Sequence, residues 1–445
     1  MTVREIALRM LDQYETEGKY VNLLLSSHIA DPLNPKERAA LTALLYTVVE
    51  HKLTYDYYVG SVAKRATADI DPHTLNILRL GACQIIDMES IPDFAAVNET
   101  VGLASGKGER SFVNAVLRRI SALKASGELP MPDRRKNPAR YLSVRYSFPL
   151  WMVKHFISLL GEDAAERLLR CYNENEYTDL TVNTLRISRE ELIERLRTSG
   201  VDAEASPLSP STVRIDGACD VRRLEGFAEG LFFVQDTASA LSQLALAPTP
   251  GDRIADLCSA PGGKSFLCAI LSADEGEIYS MDIHESKLSL IRSGAERLGL
   301  SSIRVSEADA RVRREELTGS LDRVICDCPC SGLGVLGKKS DMRYRSPEGM
   351  EELPELQLEI LDAASAYPKE GGYILYSTCT LNPSENEEVV RRFLDTHPSF
   401  HPSDFLLGEL RSEGGMLTLY PHIHQTDGFF IAKLVRGVGA EREED

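Results

Sequence analysis

From Thr249 onward the chain repeats one pattern: a short apolar strand, a turn, then a helix with helical spacing of its apolar residues. GDRIADLCSAPGGKSFLCAILS, GEIYSMDIHESKLSLIRSGAERLGL, SSIRVSEADA, LDRVICDCPC and GYILYSTCT follow one another, and GMLTLYPH and GFFIAKLV read as two closing strands. Alternation of this kind covers both faces of a sheet with helices and predicts a doubly wound α/β sheet of Rossmann type. In such sheets ligands sit just beyond the carboxyl ends of the strands. What each strand ends in is therefore the first functional clue. Here the ends present Asp282, Asp309, Asp327 and Cys379, and Cys330 follows Asp327 after a turn through Pro329.

Two chemistries are legible at those ends. In Asp256 to Lys264, DLCSAPGGK, Gly262 and Gly263 let backbone approach a ligand at a helix N-terminus. The spacing is neither G-x-x-x-x-G-K-[ST] nor G-x-G-x-x-G, which disfavours a phosphate ligand. Asp282 stands where dinucleotide folds bind ribose hydroxyls, and Asp309 can accept from an adenine amine. A Gly-rich loop with two such acids and no phosphate cradle describes an adenosine ligand such as S-adenosylmethionine; the bland alternative is a set of exposed caps. The second chemistry is that of thiols. Cys330 or Cys379 could act as a nucleophile if its pKa is lowered, whereas an isolated cysteine is ordinarily inert. Cys326 and Cys328 are expected to pack at the strand end. C-x-C-x-C with Pro329 inside and no partner pair disfavours a metal.

Upstream, residues 1–125 read as five or more amphipathic helices, an all-α bundle. Asn34-Pro35-Lys36-Glu37 and Asp71-Pro72 are helix starts. His28, His51 and His73 show no ligand spacing. Residues 126–177 are a basic, Pro-rich linker followed by helices, with Trp151 expected in the core. Residues 178–235 form a small α+β subdomain, in which Ser188 to Glu191 is a capping box and Asn183 and Arg186 hint at substrate contact. The sheet domain spans 236–437, and 438–445 is a frayed tail.

With a net charge of −17, the 445-residue chain lacks a generally basic coat. A polyanion would have to bind locally, at clusters such as Arg311/Arg313/Arg314 or Lys338/Lys339/Arg343/Arg345, each of which also reads as a solvated face. The nine cysteines are odd in number and do not form a disulfide framework. No apolar run is long enough for a membrane span, and the start MTVREIALRM does not read as a signal peptide, so the chain is expected in the cytoplasm; a monomer is the default expectation.

The run DLCSAPGGK, Asp282, Asp309, DCPCSGLG and STCTLNPSENEEVV resembles the Nop2/Sun family of RNA (cytosine-5) methyltransferases. VNTLR, VQDTAS and DGFFIAKL extend the likeness over essentially the whole chain, and the N-terminal helices resemble the RNA-binding NusB domain, as in the bacterial Sun-type branch. Small departures are DCPC for the usual DAPC, TCT for TCS, and Lys287 where Arg is common. The resemblance implies S-adenosylmethionine bound by Cys258, Ser259, Ala260, Pro261, Gly262, Gly263, Lys264, Asp282, Asp309 and Asp327. It implies Cys379 as the thiolate that adds to C6 of cytosine, Asp327 as a contact to the base, and Cys330 as the residue that helps release. The implied partner is 16S ribosomal RNA, free or in a small-subunit assembly intermediate. A methyltransferase of tRNA or large-subunit RNA, and a non-catalytic RNA-binding assembly factor, are the competing readings. A DNA enzyme is a third, opposed by the second motif cysteine.

Overall fold

The computed structural model describes residues 1–27, 33–174, 177–217 and 220–437. His28 and the tail 438–445 lie outside the described residues. The chain divides into two compact units: Met1–Glu174 with Leu336–Ser346, and Asn175–Val335 with Pro347–Asp445.

The first unit is helical: α1 (Val3–Glu17), α2 (Val21–Leu25), α3 (Pro35–Glu50), α4 (Lys52–Ala63), α5 (Pro72–Ile86), α6 (Asp93–Val101), α7 (Lys107–Ser126), α8 (Pro138–Tyr146), α9 (Leu150–Leu160) and α10 (Glu162–Glu174). Its helix starts are chemically defined. Asn34 accepts from the N–H groups of Lys36 and Glu37, and Asp71 accepts from that of Thr74. The apolar stripes of α1, α3, α5 and α7 meet in one core that includes Ile6, Met10, Leu45, Ile77 and Leu117. Trp151, expected in the core, is only partly buried; Met152, Val153 and Phe156 fill the interior instead.

Leu336–Ser346 packs with these helices. Arg343 is fully buried there. Its guanidinium donates to Asn173 Oδ1 (2.7 Å), Glu50 Oε1 (3.2 Å) and the carbonyls of Tyr172 and Leu336 (both 3.2 Å), and stacks over Phe148. Arg345 donates to the Tyr20 hydroxyl. Arg343 is therefore withdrawn from the Lys338/Lys339/Arg343/Arg345 run, whose exposed members are Lys338, Lys339 and Arg345.

The second unit holds β1 (Tyr177–Val182), β2 (Ala203–Ala205), β3 (Thr212–Asp216), β4 (Phe232–Val234), β5 (Arg253–Asp256), β6 (Glu277–Asp282), β7 (Ile303–Glu307), β8 (Leu321–Asp327), β9 (Pro368–Thr378), β10 (Phe400–Pro402), β11 (Leu406–Leu407), β12 (Leu410–Arg411), β13 (Met416–Leu419) and β14 (Phe429–Arg436). Its helices are α11 (Arg189–Thr198), α12 (Thr237–Leu246), α13 (Gly263–Leu271), α14 (Glu285–Leu298), α15 (Leu353–Ala364) and α16 (Glu387–Thr396).

The first four strands make a small antiparallel sheet in the order β2-β3-β1-β4, packed on α11. Asn183, just past β1, is wholly buried and donates to the carbonyls of Gly230 and Leu298, both at 3.0 Å. Arg186 donates to the carbonyl of Glu229. Asn183 is thus part of the interior, which corrects its expectation of substrate contact, whereas Arg186 stays exposed.

Among the described residues the main sheet has the order β10-β14-β9-β8-β5-β6-β7, with β13 also on β14. β5 to β9 are mutually parallel and β14 runs antiparallel to β9. Period-two alternation sends Ile254, Ile325, Leu375 and Ile431 to the face covered by α12, α13 and α14. Ala255, Val324, Ile374 and Phe430 go to the face covered by α15 and α16. From β5 the chain winds outward on one side through β6 and β7 and on the other through β8 and β9. The reversal falls between β5 and β8, the place where such sheets bind ligands. No helix among the described residues is long and apolar enough to cross a membrane.

Candidate active site

At the end of β5 the chain turns sharply. Gly262 has φ +112°, and a Cβ there would lie 2.4 Å from the Phe266 ring, so only glycine fits. Ser259 holds the turn to β6 by donating N–H and Oγ–H to the Met281 carbonyl, at 2.8 and 2.9 Å. Asp282 holds it too: one carboxylate oxygen accepts the N–H of Ala260 (3.2 Å) and the other that of His284 (2.9 Å). Cys258, Ser259, Ala260, Pro261, Gly262 and Gly263 thus form one backbone loop over the switch point. Asp309 lies two residues past β7 and is bound by Arg311, through its N–H (3.0 Å) and its guanidinium (2.7 Å), which holds the carboxyl below its usual range.

Asp256 was not singled out from the sequence, yet it sits beneath this loop. It is fully buried, accepts from Ser265 Oγ at 2.7 Å on one oxygen, and meets no donor on the other. Burial pushes its carboxyl up to about 7. Asp256, Asp282, Asp309 and Asp327 line the strand ends with carboxyls, of which Asp309 is paired with Arg311 and Asp327 with Lys264. Such an acceptor set suits a ligand bearing hydroxyls and amino groups, and opposes a polyanionic phosphate.

The thiol side is built at the ends of β8 and β9. Cys326 and Cys328 are buried as expected, and burial pushes both thiols well up. Asp327 is fixed on both oxygens, by the Lys264 ammonium at 2.5 Å and by Ser377 Oγ at 2.8 Å. Burial would pull the Lys264 ammonium down, but Asp327 and Asp256 outweigh it and the pKa is raised. Lys264, assigned by resemblance to the cofactor loop, therefore turns its charge onto the carboxylate at the end of β8.

Cys330 and Cys379, 49 residues apart in sequence, meet with their sulfurs 3.4 Å apart. The hydrogen bond with Cys379, with burial behind it, pushes the Cys330 thiol well above the usual range. The fully buried carboxylate of Glu385 is bound to Ser331, the residue after Cys330. It accepts the Ser331 N–H (2.8 Å), Ser331 Oγ–H (2.5 Å), and the side-chain amides of Gln357 and Asn382 (both 3.1 Å). Sequence reasoning gave Glu385 and Ser377 no role. The only signals were Ser377 as a polar residue in an apolar strand and Glu385 inside the run STCTLNPSENEEVV, and neither reveals partners. The Arg311/Arg313/Arg314 cluster is internally occupied: Arg311 pairs with Asp309, Arg314 with Glu316, and Arg313 donates to the Asp362 carbonyl. Among the described residues no three His, Cys, Asp or Glu side chains form a metal-holding group.

The family described as 16S rRNA methyltransferase RsmB/F matches residues 243–435, the NusB family 1–122, and the ferredoxin-like domain of RsmF/B-like methyltransferases 148–222. The probable ribosomal RNA small subunit methyltransferase B of Bacillus subtilis is 35% identical, over 97% of this chain and 98% of that protein. Its counterpart from Synechocystis is 34% identical, over 98% and 99%. The crystal structure of PH0851 superposes with a TM-score of 0.79 at 26% identity, covering 98% of this chain and 99% of that one. NSun6 from Pyrococcus horikoshii with SFG shares the fold, with a TM-score of 0.58 at 23% identity over 65% of this chain and 99% of its own.

Proposed function

The chain belongs to the ribosomal RNA small subunit methyltransferase B family, and from that membership we propose that it methylates C5 of a cytosine in 16S ribosomal RNA through a covalent bond between Cys379 and C6 of the base. The observation that carries this reading is the pair of thiols 3.4 Å apart at neighbouring strand ends, beside a fixed carboxylate. S-adenosylmethionine is the methyl donor of this family. The carboxyl-lined strand ends, the unpaired oxygen of buried Asp256 and the glycine turn at Gly262 fit such a nucleoside. Cys258 to Lys264, Asp282, Asp309 and Asp327 are the residues that would hold it. When bound, it supplies an electrophilic methyl.

Cytosine C5 is a poor nucleophile. The Cys379 thiolate adds to C6, and the displaced π pair makes C5 enamine-like, so that C5 can take the methyl. Asp327, kept in one orientation by Lys264 and Ser377, hydrogen-bonds the base near N3 and stabilises the adduct. Water takes the C5 proton, the electron pair of that C–H bond re-forms the C5–C6 double bond, and the C6–S bond breaks to return the Cys379 thiolate, with Cys330 assisting the release. The base must be unstacked to reach both sulfurs, so a loop or flipped nucleotide is the expected target.

The test uses wild type, Cys330→Ala and Cys379→Ala with labelled S-adenosylmethionine and unmodified 16S RNA, run on denaturing gels. Cys330→Ala is expected to trap a covalent RNA adduct, and Cys379→Ala to give neither adduct nor product. A reversed pattern exchanges the roles of the two cysteines. Wild type that labels no RNA removes the enzymatic reading.

A further inference from the structure

The two thiols sit on separate turns, and what joins those turns is built on the residues that follow each cysteine. Ser331 follows Cys330 and Thr380 follows Cys379. A directed chain of hydrogen bonds connects them. The Asn382 N–H donates to Thr380 Oγ1 (3.2 Å), the Thr380 hydroxyl meets Ser331 Oγ (2.7 Å), and the Ser331 hydroxyl donates to Glu385 Oε1 (2.5 Å). Glu385 also takes the Ser331 N–H, and Gln357 ties the same carboxylate to the Pro329 carbonyl, at 3.1 and 2.9 Å. Thr380, Gln357 and Glu385 are all wholly buried. The Gly334 N–H on the Cys379 carbonyl (2.9 Å) is a further link, but four residues beyond Cys330.

We propose that Glu385 is a positioning residue, whose carboxylate clamps the Cys330 turn onto the Cys379 turn and so sets the two sulfurs within contact. Every group presented to it is a donor, so a carboxylate with acceptors only is required. A glutamine in its place would turn an NH2 against a donor and could not serve all of them. Buried away from water, a donor left without its acceptor costs enough to move a turn. The negative charge of Glu385 also contributes, after the Cys379 bond and burial, to holding the Cys330 thiol protonated. The proposal rests on the thiol chemistry described above, and its test includes a measurement independent of RNA.

Diamide oxidises a thiol pair by taking two electrons and two protons onto its N=N bond, leaving a disulfide and a hydrazine. Its rate of closing Cys330 to Cys379, followed by peptide mass spectrometry, reads how well the sulfurs are placed. In Glu385→Gln we expect closure to slow about tenfold or more, and kcat for methyl transfer to fall comparably with KM for S-adenosylmethionine within about twofold. A folded Glu385→Gln protein that closes the disulfide and turns over within about twofold of wild type overturns the proposal. Should that variant not fold, Ser331→Ala decides. It removes the hydroxyl relay and should slow closure about threefold or more, and an unchanged rate overturns the proposal. If wild type methylates no RNA, the functional reading fails while the oxidation rates still decide the role of Glu385.

Discussion

Asp256 shows how a single buried group writes itself into the pH dependence of the protein. Its carboxyl rises from an ordinary 3.8 to about 7, because burial penalises the charged form. Between those values the folded protein holds a proton that the unfolded chain has released. The stability this group contributes is therefore complete below the lower value and lost as pH rises through the upper one. Asp256→Asn, which carries no charge to bury, is expected to melt higher than wild type near pH 8, with the gain fading toward about pH 5. Melts of the ligand-free proteins across that range check it, and a constant difference between the two would refute the assignment. At this scale the sequence exposed residue types but not their partners. Asp327, Cys330 and Cys379 could be picked out as strand-end groups. That Lys264 pairs with Asp327, and that Glu385 binds Ser331 next to Cys330, depends on residues 63 and 54 positions apart.

Elements were the most legible level, because caps and alternation are local physics. Asn34, Asp71 and Ser188 cap the helices they announce. The run TDLTVNTLRI reads as one strand, but β1 ends at Val182, and the Asn183 carbonyl instead accepts the N–H groups of Arg186 and Ile187 in a turn. The continuous run LTALLYTVVEHKL is likewise broken at His51, where α3 gives way to α4. Close approach of turns is harder to read. A Cβ on Gly334 would lie 1.9 Å from the Gly428 carbonyl oxygen and 2.8 Å from that of Cys379. Gly334→Ala should therefore cost about 2–3 kcal/mol in denaturant unfolding and push apart the segments bearing Cys330 and Cys379. Gly108→Ala, whose Cβ meets nothing within 4 Å inside α7, should be neutral or slightly stabilising. Equal behaviour of the two variants would show that the contact at Gly334 is not tight.

At the scale of the whole molecule, chain order and compact units do not coincide. Leu336–Ser346 leaves the sheet unit after the Cys330 turn, counts with the helices, and returns at Pro347. Arg343 is what the helical unit receives from that excursion. Its removal strands Glu50, Asn173 and two carbonyls, so Arg343→Ala should lower stability by on the order of 3 kcal/mol, measured by denaturant unfolding of the full chain. A loss below about 0.5 kcal/mol, typical of a solvated surface arginine, would restore the reading of this run as an exposed basic patch. By itself the sequence determined the class of the fold, the succession of helical and α/β parts, and the strand ends where chemistry belongs, because periodicity, capping and turn residues act over a few neighbours. Only the tertiary structure decided which thiols touch, which carboxylates are neutralised and which cations are spent on the interior. Those outcomes depend on burial and on partners brought together from distant parts of the chain.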